Sequence, residues 1–348
     1  MNEPNSPLVS IVLPTYKRAH VLPFAIRSVL AQTYANWELI VVDDNSPDDT
    51  AEVVDAFGDP RIHYVKNDPN LKLPRALNRG FSLARGDYLT WTSDDNLFGD
   101  RAVEKMVARL QAGGCDFVYA DYYLFADIDA DGNALEKRHE KLPGQPQLEK
   151  SNHIGACFMY TRRAYEAIGD YDPELFLVED YDYFMRLARA FNTCHIAEPL
   201  YYFRRHDDSL FCARYCEVKA ADILVRYKNG FITDESARNA VVALLLQNIE
   251  GIKNPLLRWA GALTRKTSFR LSTAHRRFCQ KHLVRRTGPA VSAILDRYRA
   301  GALDFNQAKE NLMSLMQRVG TVEYLPPAFL QAEARTTGSD KTGSAKHV

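Results

Sequence analysis

Residues 88–96 read YLTWTSDDN, a short apolar run that ends on two adjacent carboxylates. Such a run predicts a buried strand, and ligands bind at the carboxyl ends of strands in an open α/β sheet. Asp94 and Asp95 would repel each other there unless a cation or backbone N–H groups offset their charge. The stretch therefore favours a divalent metal that also holds a phosphate, with a surface Asp-Asp-Asn turn as the alternative.

The chain before this stretch alternates strand and helix patterns. Apolar runs typical of strands, each followed by apolar residues at helical spacing, lie at 8–13, 37–42 and 61–65. This order predicts an α/β fold, with a mainly parallel sheet and helices on both faces. The second run ends on Asp43-Asp44-Asn45, so we expect these polar residues at the same sheet edge as Asp94 and Asp95. Ser46, followed by Pro47, predicts the start of the next helix.

Composition narrows the class of protein. The 348 residues carry no net charge, which gives no indication of a nucleic-acid partner. The six cysteines are scattered without C-x-x-C spacing, so we expect free thiols in a reducing compartment rather than a disulfide framework or a zinc site. The N-terminus does not resemble a signal peptide, and no apolar run is long enough to span a bilayer. These features predict a cytoplasmic protein, with peripheral attachment to the inner face of the cell membrane left open.

Four separated motifs occur in one order: PTYKR (14–18), DDNS (43–46), SDDN (93–96) and VEDYD (178–182). With the stretches around them, VSIVLPTYKR, SVLAQTYANWELIVVDDNSPDDT, ALNRGFSLARGDYLTWTSDDN and EDYDYFMRLAR, the sequence resembles the family 2 glycosyltransferases, which are inverting enzymes with the GT-A fold. The resemblance covers roughly residues 8–210. We therefore expect a GT-A catalytic domain at 1–210, a helical C-terminal region at 211–335 and a disordered tail at 336–348.

The resemblance implies that Pro14, Tyr16 and Asp44 bind the base of a nucleotide-diphosphate sugar, which we expect to be a UDP-sugar. Tyr16 would offer an aromatic face, and the carboxylate of Asp44 would accept an imide N–H. Core packing of Tyr16, and capping of the helix at Ser46 by Asp44, are the alternatives. Arg75 falls near a family position that contacts phosphate or base, although an arginine at a helix start is often only solvated.

The resemblance also implies Mg²⁺ or Mn²⁺ as the cofactor. Asp95 would bind the metal, and Asp94 would lie near the metal or the ribose. The serine before this pair replaces the first carboxylate of the commoner Asp-x-Asp form. The segment RRHDDS resembles the family's Arg-x-His-x-x-Ser, in which His206 would contact the diphosphate or metal and Arg205 the phosphates. A structural histidine at a strand end is the alternative.

Glu179 and Asp180 match the family's catalytic pair. Asp180 aligns with the general base, which takes the proton of an acceptor hydroxyl while that oxygen attacks the anomeric carbon. Glu179 would orient it. The alternative is that these carboxylates stabilise a helix N-terminus through its dipole. The implied acceptor is a saccharide, glycolipid or glycoprotein, and the implied enzyme a hexosyl- or N-acetylhexosaminyl-transferase.

The stretch 253–286 is rich in lysine and arginine, with aromatic residues among them. This pattern suits an anionic membrane surface, while a solvated helix face is the alternative. Three other functions stay open for the whole chain. They are a transferase that uses a dTDP- or GDP-sugar, a non-catalytic family member that binds nucleotide sugars, and a nucleotidyltransferase.

Overall fold

The computed structural model describes residues 6–129, 132–206, 209–247, 269–320 and 322. The strands are β1 (Val9–Thr15), β2 (Trp37–Asp43), β3 (Ile62–Lys66), β4 (Tyr88–Trp91), β5 (Leu97–Phe98), β6 (Phe117–Phe125), β7 (Arg138–Glu140), β8 (Phe158–Thr161) and β9 (Thr193–Arg204). The helices are α1 (Leu22–Leu30), α2 (Thr50–Asp55), α3 (Leu73–Leu83), α4 (Ala102–Gln111), α5 (Arg162–Ile168), α6 (Glu179–Ala190), α7 (Leu210–Ala213), α8 (Tyr215–Lys228), α9 (Asp234–Gln247), α10 (Phe269–Arg299) and α11 (Phe305–Val319).

The described strands form one nine-stranded sheet in the order β3-β2-β1-β4-β8-β6-β9-β5, with β7 paired to β6. The first four strands run parallel, as the β-α-β-α pattern predicts. Beyond β4 the sheet is mixed. Strand β8 runs antiparallel to both β4 and β6, whereas β6 and β9 are parallel.

The sheet is covered on both faces, so alternate residues of one strand enter different cores. Ile11 and Leu13 of β1 pack in one apolar cluster, and Val12 between them packs in the other. A strand buried on both sides reads as a continuous apolar run, and β1 is fully buried along its length. The cluster around Val12 continues into α8, α9 and α11, which joins the C-terminal helices to the sheet.

Strand register brings the predicted polar segments to one edge. Thr15 pairs with Asp43 at the ends of β1 and β2, and the backbone N–H of Asp44 donates to the carbonyl of Thr15. Val12 pairs with Trp91, which puts the residues after β4 beside the end of β1. The common edge expected from the strand order is confirmed.

The predicted helix start at Ser46 is wrong, because α2 begins at Thr50. Ser46 instead belongs to the turn after β2. Its N–H donates to Oδ1 of Asp43 at 2.7 Å, and its Oγ accepts the N–H of Lys17 at 3.0 Å. Asn45 takes a positive φ of 67° in this turn, a conformation that asparagine tolerates better than most residues. The turn thus ties the ends of β1 and β2 together.

The expectation of free thiols throughout is also wrong, because Cys115 and Cys194 form a disulfide. The two residues are far apart in sequence but lie at the adjacent starts of β6 and β9, with Cα atoms 5.9 Å apart. Spacing along the chain does not reveal such a pair.

The helical C-terminal region expected from the composition is present as α7 to α11. Much of the basic stretch 253–286, and all of the tail 336–348, lie outside the described residues. Within the described ranges, no helix combines the length and apolarity needed to cross a membrane.

Candidate functional site

The loop after β1 presents Tyr16 to solvent. Its side chain is 42% exposed, which argues against core packing, and Lys17 Nζ lies 5.0 Å from the centroid of its ring. Pro14 is buried within β1 and pairs with Val42 of β2. The exposed ring therefore stands at the sheet edge, supported by a rigid strand.

Asp44 is buried and organises the loop that leads into α3. Its Oδ1 accepts the amide of Asn67 at 2.9 Å and the N–H of Leu71 at 2.7 Å, and its Oδ2 accepts the N–H of Lys72 at 2.8 Å. This is a different structural role from the helix cap considered as the alternative. The three donors hold the carboxylate at the sheet edge, close to the turn that follows β1.

The carboxylates of Asp94 and Asp95 are buried side by side after β4. Thr15 Oγ1 donates to Oδ2 of Asp94 at 2.8 Å, and Ser93 Oγ donates to Oδ1 of Asp95 at 2.9 Å. Nε2 of His206 lies 3.2 Å from Oδ2 of Asp95. The pair is therefore held by hydroxyl groups on one side and faces an imidazole on the other.

Arg18 supplies the positive charge next to this pair. Its Nη1 makes an ion pair with Oδ2 of Asp95, and its Nε lies 3.9 Å from Oδ1 of Asp94. Burial and the charge of Asp95 raise the pKa of Asp94 to about 7. Burial also acts to raise the pKa of Asp95, but the hydrogen bond with His206 and the charge of Arg18 outweigh it and hold that pKa below its usual value.

The donor set at this pair suits a hard divalent cation. Two carboxylates and one imidazole are ligands that Mg²⁺ and Mn²⁺ accept, with phosphate and water oxygens completing the shell. Among the described residues, no three histidine, cysteine or acidic side chains already form a metal cage.

Glu179 and Asp180 begin α6; Glu179 is buried, and Asp180 is half-buried. Asp180 Oδ1 accepts the N–H of Tyr181 at 2.6 Å, and its Oδ2 accepts the amide of Asn152 at 3.2 Å. Burial raises the pKa of Asp180 to about 6, although both of these donors act to lower it. Burial and the charge of Asp180 raise the pKa of Glu179 to about 8, and Glu179 Oε2 has no hydrogen-bond partner in the described part of the chain. A carboxylate that titrates near pH 6 suits proton transfer at neutral pH.

Comparisons with known proteins agree with this geometry. The family model described as "Glycosyl transferase family 2" matches residues 10–169. The putative colanic acid biosynthesis glycosyl transferase WcaA of Escherichia coli K12 is 35% identical over 189 residues, which is 53% of this chain and 67% of WcaA. This chain belongs to glycosyl transferase family 2.

Other members of family 2 match over shorter stretches. The Escherichia coli protein WfgD, named as a UDP-Glc:alpha-D-GlcNAc-diphosphoundecaprenol beta-1,3-glucosyltransferase, is 35% identical over 115 residues, or 33% of this chain and 46% of WfgD. The chain spans 67%, 65% and 42% of the lengths of the first three relatives. Part of each relative's length therefore lies outside the match.

Solved glycosyltransferase structures share the fold at low identity. Staphylococcus aureus TarS, residues 1–349, superposes with a TM-score of 0.53 and 16% identity, covering 89% of this chain and 90% of that one. The mannosyltransferase PcManGT of Pyrobaculum calidifontis, solved with GDP-Man and Mn²⁺, gives 0.52 and 15%, covering 97% and 89%. The GT-A fold expected for a family 2 chain is confirmed.

Two predicted basic residues of the family 2 site have protein partners here. Arg75 is exposed and joins the loop before α6, with Nη2 3.1 Å from Glu174 Oε1. The guanidinium of Arg205 lies 4.9 Å from the ring centroid of Phe211, and its backbone N–H donates to the carbonyl of Phe125. Their roles toward phosphate stay predictions.

Sequence reasoning missed two residues of this site, Arg18 and Asn152. Arg18 belongs to the PTYKR motif, so its charge two residues after Tyr16 was a usable signal. Asn152 lies in an irregular segment that carries no motif. Its contact with Asp180 depends on the fold alone.

Proposed function

We propose that this protein is an inverting glycosyltransferase that transfers a sugar from a nucleotide-diphosphate sugar, a UDP-sugar in the first instance, to an acceptor hydroxyl. The acceptor would be a saccharide, lipid-linked or protein-linked. The observation that carries this proposal is Asp180, a half-buried carboxylate at the start of α6 with an amide partner and a pKa of about 6. Family 2 membership and the named activity of WfgD support the choice of donor class.

In the proposed reaction the acceptor oxygen attacks the anomeric carbon while its proton passes to Oδ2 or Oδ1 of Asp180. The new glycosidic bond forms as the bond to the diphosphate breaks, and the electron pair leaves on the nucleoside diphosphate. Proton transfer has to accompany attack, because a carboxylate is far too weak a base to form the free alkoxide. Direct displacement inverts the anomeric configuration.

The other site residues bind and orient in this scheme. Tyr16 would stack on the base, Asp44 would hold the loop beside it, and Pro14 would fix the strand end. Asp95, with Asp94 and His206, would hold Mg²⁺ or Mn²⁺. When bound, the metal supplies positive charge that stabilises the departing diphosphate.

The proposed location is the cytoplasmic side of a membrane, with a peripheral contact through 253–286. Within the described part of that stretch, Lys281, Arg285 and Arg286 are exposed on α10. Co-sedimentation with liposomes tests the contact. Binding that requires anionic lipid supports it, whereas equally weak binding to neutral and anionic liposomes contradicts it.

A thermal-shift panel tests the proposed function directly. The purified protein is heated with UDP, dTDP, GDP and their sugars, each with and without Mn²⁺. We expect the largest rise in melting temperature with UDP and its sugars, and only when Mn²⁺ is present. A response to GDP or dTDP alone would reassign the donor, and no response to any nucleotide would contradict the proposal.

A further inference from the structure

The loop formed by residues 147–155, here called the 147–155 loop, places an amide on Asp180. Oδ1 of Asn152 accepts the N–H groups of Ile154 and Gly155, each at 3.3 Å. These contacts fix the orientation of the Asn152 amide, so its Nδ2 donates to Asp180 Oδ2 at 3.2 Å. The orientation of the donor is therefore set by the loop itself.

The C-terminal helical region grips the same loop through Arg226 of α8. Arg226 is only 7% exposed, and its Nη1 donates to the carbonyls of Glu149 at 3.0 Å and Lys150 at 3.3 Å. Its Nη2 pairs with Oδ2 of Asp222 at 2.8 Å, one turn earlier on α8. An arginine has enough donors in a fixed plane to hold both carbonyls and the carboxylate at once.

A second contact anchors the loop from the helix that carries Asp180. The hydroxyl of Tyr181 donates to the carbonyl of Leu148 at 2.5 Å. Consecutive carbonyls at 148, 149 and 150 are thus held by side chains from α6 and α8. The last anchored residue, Lys150, is two positions before Asn152.

Arg226 also balances a charge that acts on Asp180. The titratable groups around Asp180 are Glu179 and Tyr181 on its own helix, Tyr171 before that helix and Asp222 on α8. The charge of Asp222 raises the pKa of Asp180. Burial raises the pKa of Asp222, and Arg226 and Lys219 on the same helix oppose that rise and so help to keep the carboxylate charged.

We propose that Arg226 is a positioning residue that clamps the 147–155 loop so that Asn152 stays on Asp180, which makes the C-terminal helical region part of the catalytic unit. The expected effect on catalysis rests on the proposed role of Asp180 as the base. The clamping of the loop does not depend on that role, and it is measured separately.

Hydrogen exchange measures the clamp without any substrate. We expect Arg226→Met to speed amide exchange in peptides covering 147–155 by about tenfold, because the loop would open locally more often. The matched control is Lys309→Met. It removes another buried cation that reaches α8, through an ion pair with Glu217 at 2.9 Å, and makes no described contact with the loop. Equal exchange of the loop in both variants would overturn the clamp.

The pH dependence of nucleoside diphosphate release measures the effect on Asp180. The probe is the nucleotide sugar that gives the largest thermal shift. In Arg226→Met we expect kcat to fall about tenfold with KM for the nucleotide sugar unchanged, since the base is misplaced while the donor site is intact. The acid limb of the profile should move to higher pH, because the displaced Asn152 no longer stabilises the charged form of Asp180.

Two further variants keep the proposal testable if Arg226→Met folds poorly. Asp222→Asn combined with Arg226→Met removes the buried carboxylate that would lack a partner and should improve folding, while the loss in kcat and the shifted acid limb remain. Asn152→Leu should leave α8 unchanged and move the acid limb to higher pH. An unchanged profile in Asn152→Leu overturns the proposal. Full activity in Asp180→Asn would instead refute the proposed function and leave the exchange result standing.

Discussion

The two acidic pairs of the site have similar composition and opposite surroundings. Asp94 and Asp95 face Arg18 and His206, whereas Glu179 and Asp180 have only neutral donors at hydrogen-bond distance among the described residues. In the first pair, cations hold the pKa of Asp95 below its usual value, while burial and the charge of Asp95 raise the pKa of Asp94 to about 7, so one carboxylate stays charged and can attract a metal. In the second pair no described cation offsets burial, and both pKa values are raised, which suits the transfer of a proton. The groups around each pair, more than the residue types within it, determine whether the pair suits metal binding or proton transfer.

The largest expected effect comes from removing the base. Asp180→Asn should lower sugar transfer by about 10³-fold while nucleotide binding is kept, because an amide cannot accept the proton. The asparagine keeps one acceptor oxygen, which can serve Asn152 or the N–H of Tyr181 but not both, so we expect a folded protein with a somewhat lower melting temperature. Nucleoside diphosphate release and thermal shift are measured on the same sample. Loss of nucleotide binding would show that the residue belongs to the donor site rather than to catalysis.

Replacing Asp95, in the other acidic pair, should weaken metal binding rather than proton transfer. Asp95→Ala should abolish the Mn²⁺-dependent part of the thermal shift with UDP, since this carboxylate is the proposed principal ligand. Asp100→Ala, an exposed acid a few residues later, serves as the control. A normal Mn²⁺ response in Asp95→Ala would remove the distinction between the two pairs.

Arg18, which lies beside Asp94 and Asp95, allows a further test of the difference between the two acidic pairs. Arg18 holds the same oxygen of Asp95 that a metal would need, so the two cations should compete. We expect Arg18→Met to bind Mn²⁺ several-fold more tightly than the wild type in the absence of nucleotide, as measured by electron paramagnetic resonance. Lys17→Met removes a neighbouring exposed charge and should change Mn²⁺ affinity much less. Weaker Mn²⁺ binding in Arg18→Met would mean that the arginine assists the metal.

The smallest expected effect concerns stability at the second pair. The pKa of Glu179 is raised to about 8 in the folded chain, so the folded state holds a proton that the unfolded state loses near the ordinary pKa. This group therefore destabilises the fold progressively as the pH rises from about 4.5 toward 8. Glu179→Gln should gain in melting temperature relative to the wild type between pH 5 and pH 8. A difference in melting temperature that does not vary with pH would show that the pKa of Glu179 is not raised in the folded chain.

The sequence was sufficient for most of the architecture. Apolar runs of strand length, each followed by helical spacing, predicted β1 to β4 and the helices between them, and the polar strand ends predicted their common edge. These features depend on the local hydrophobic pattern and on the right-handed connection between parallel strands. Both can be inferred from a single sequence. The predicted helix start at Ser46 was wrong because its N–H donates to the side chain of Asp43 and its hydroxyl accepts the N–H of Lys17, which hold this residue in a turn.

Motif order along the chain determined the family, the two acidic pairs and the residues expected to bind the nucleotide. Only the tertiary structure decided which groups surround them. Arg18 on Asp95, Asn152 on Asp180, Arg226 on the 147–155 loop and the Cys115–Cys194 disulfide all join positions that are far apart in sequence. Charge compensation acts over a few ångströms in space, so the pKa of a buried carboxylate depends on neighbours that the local sequence does not contain.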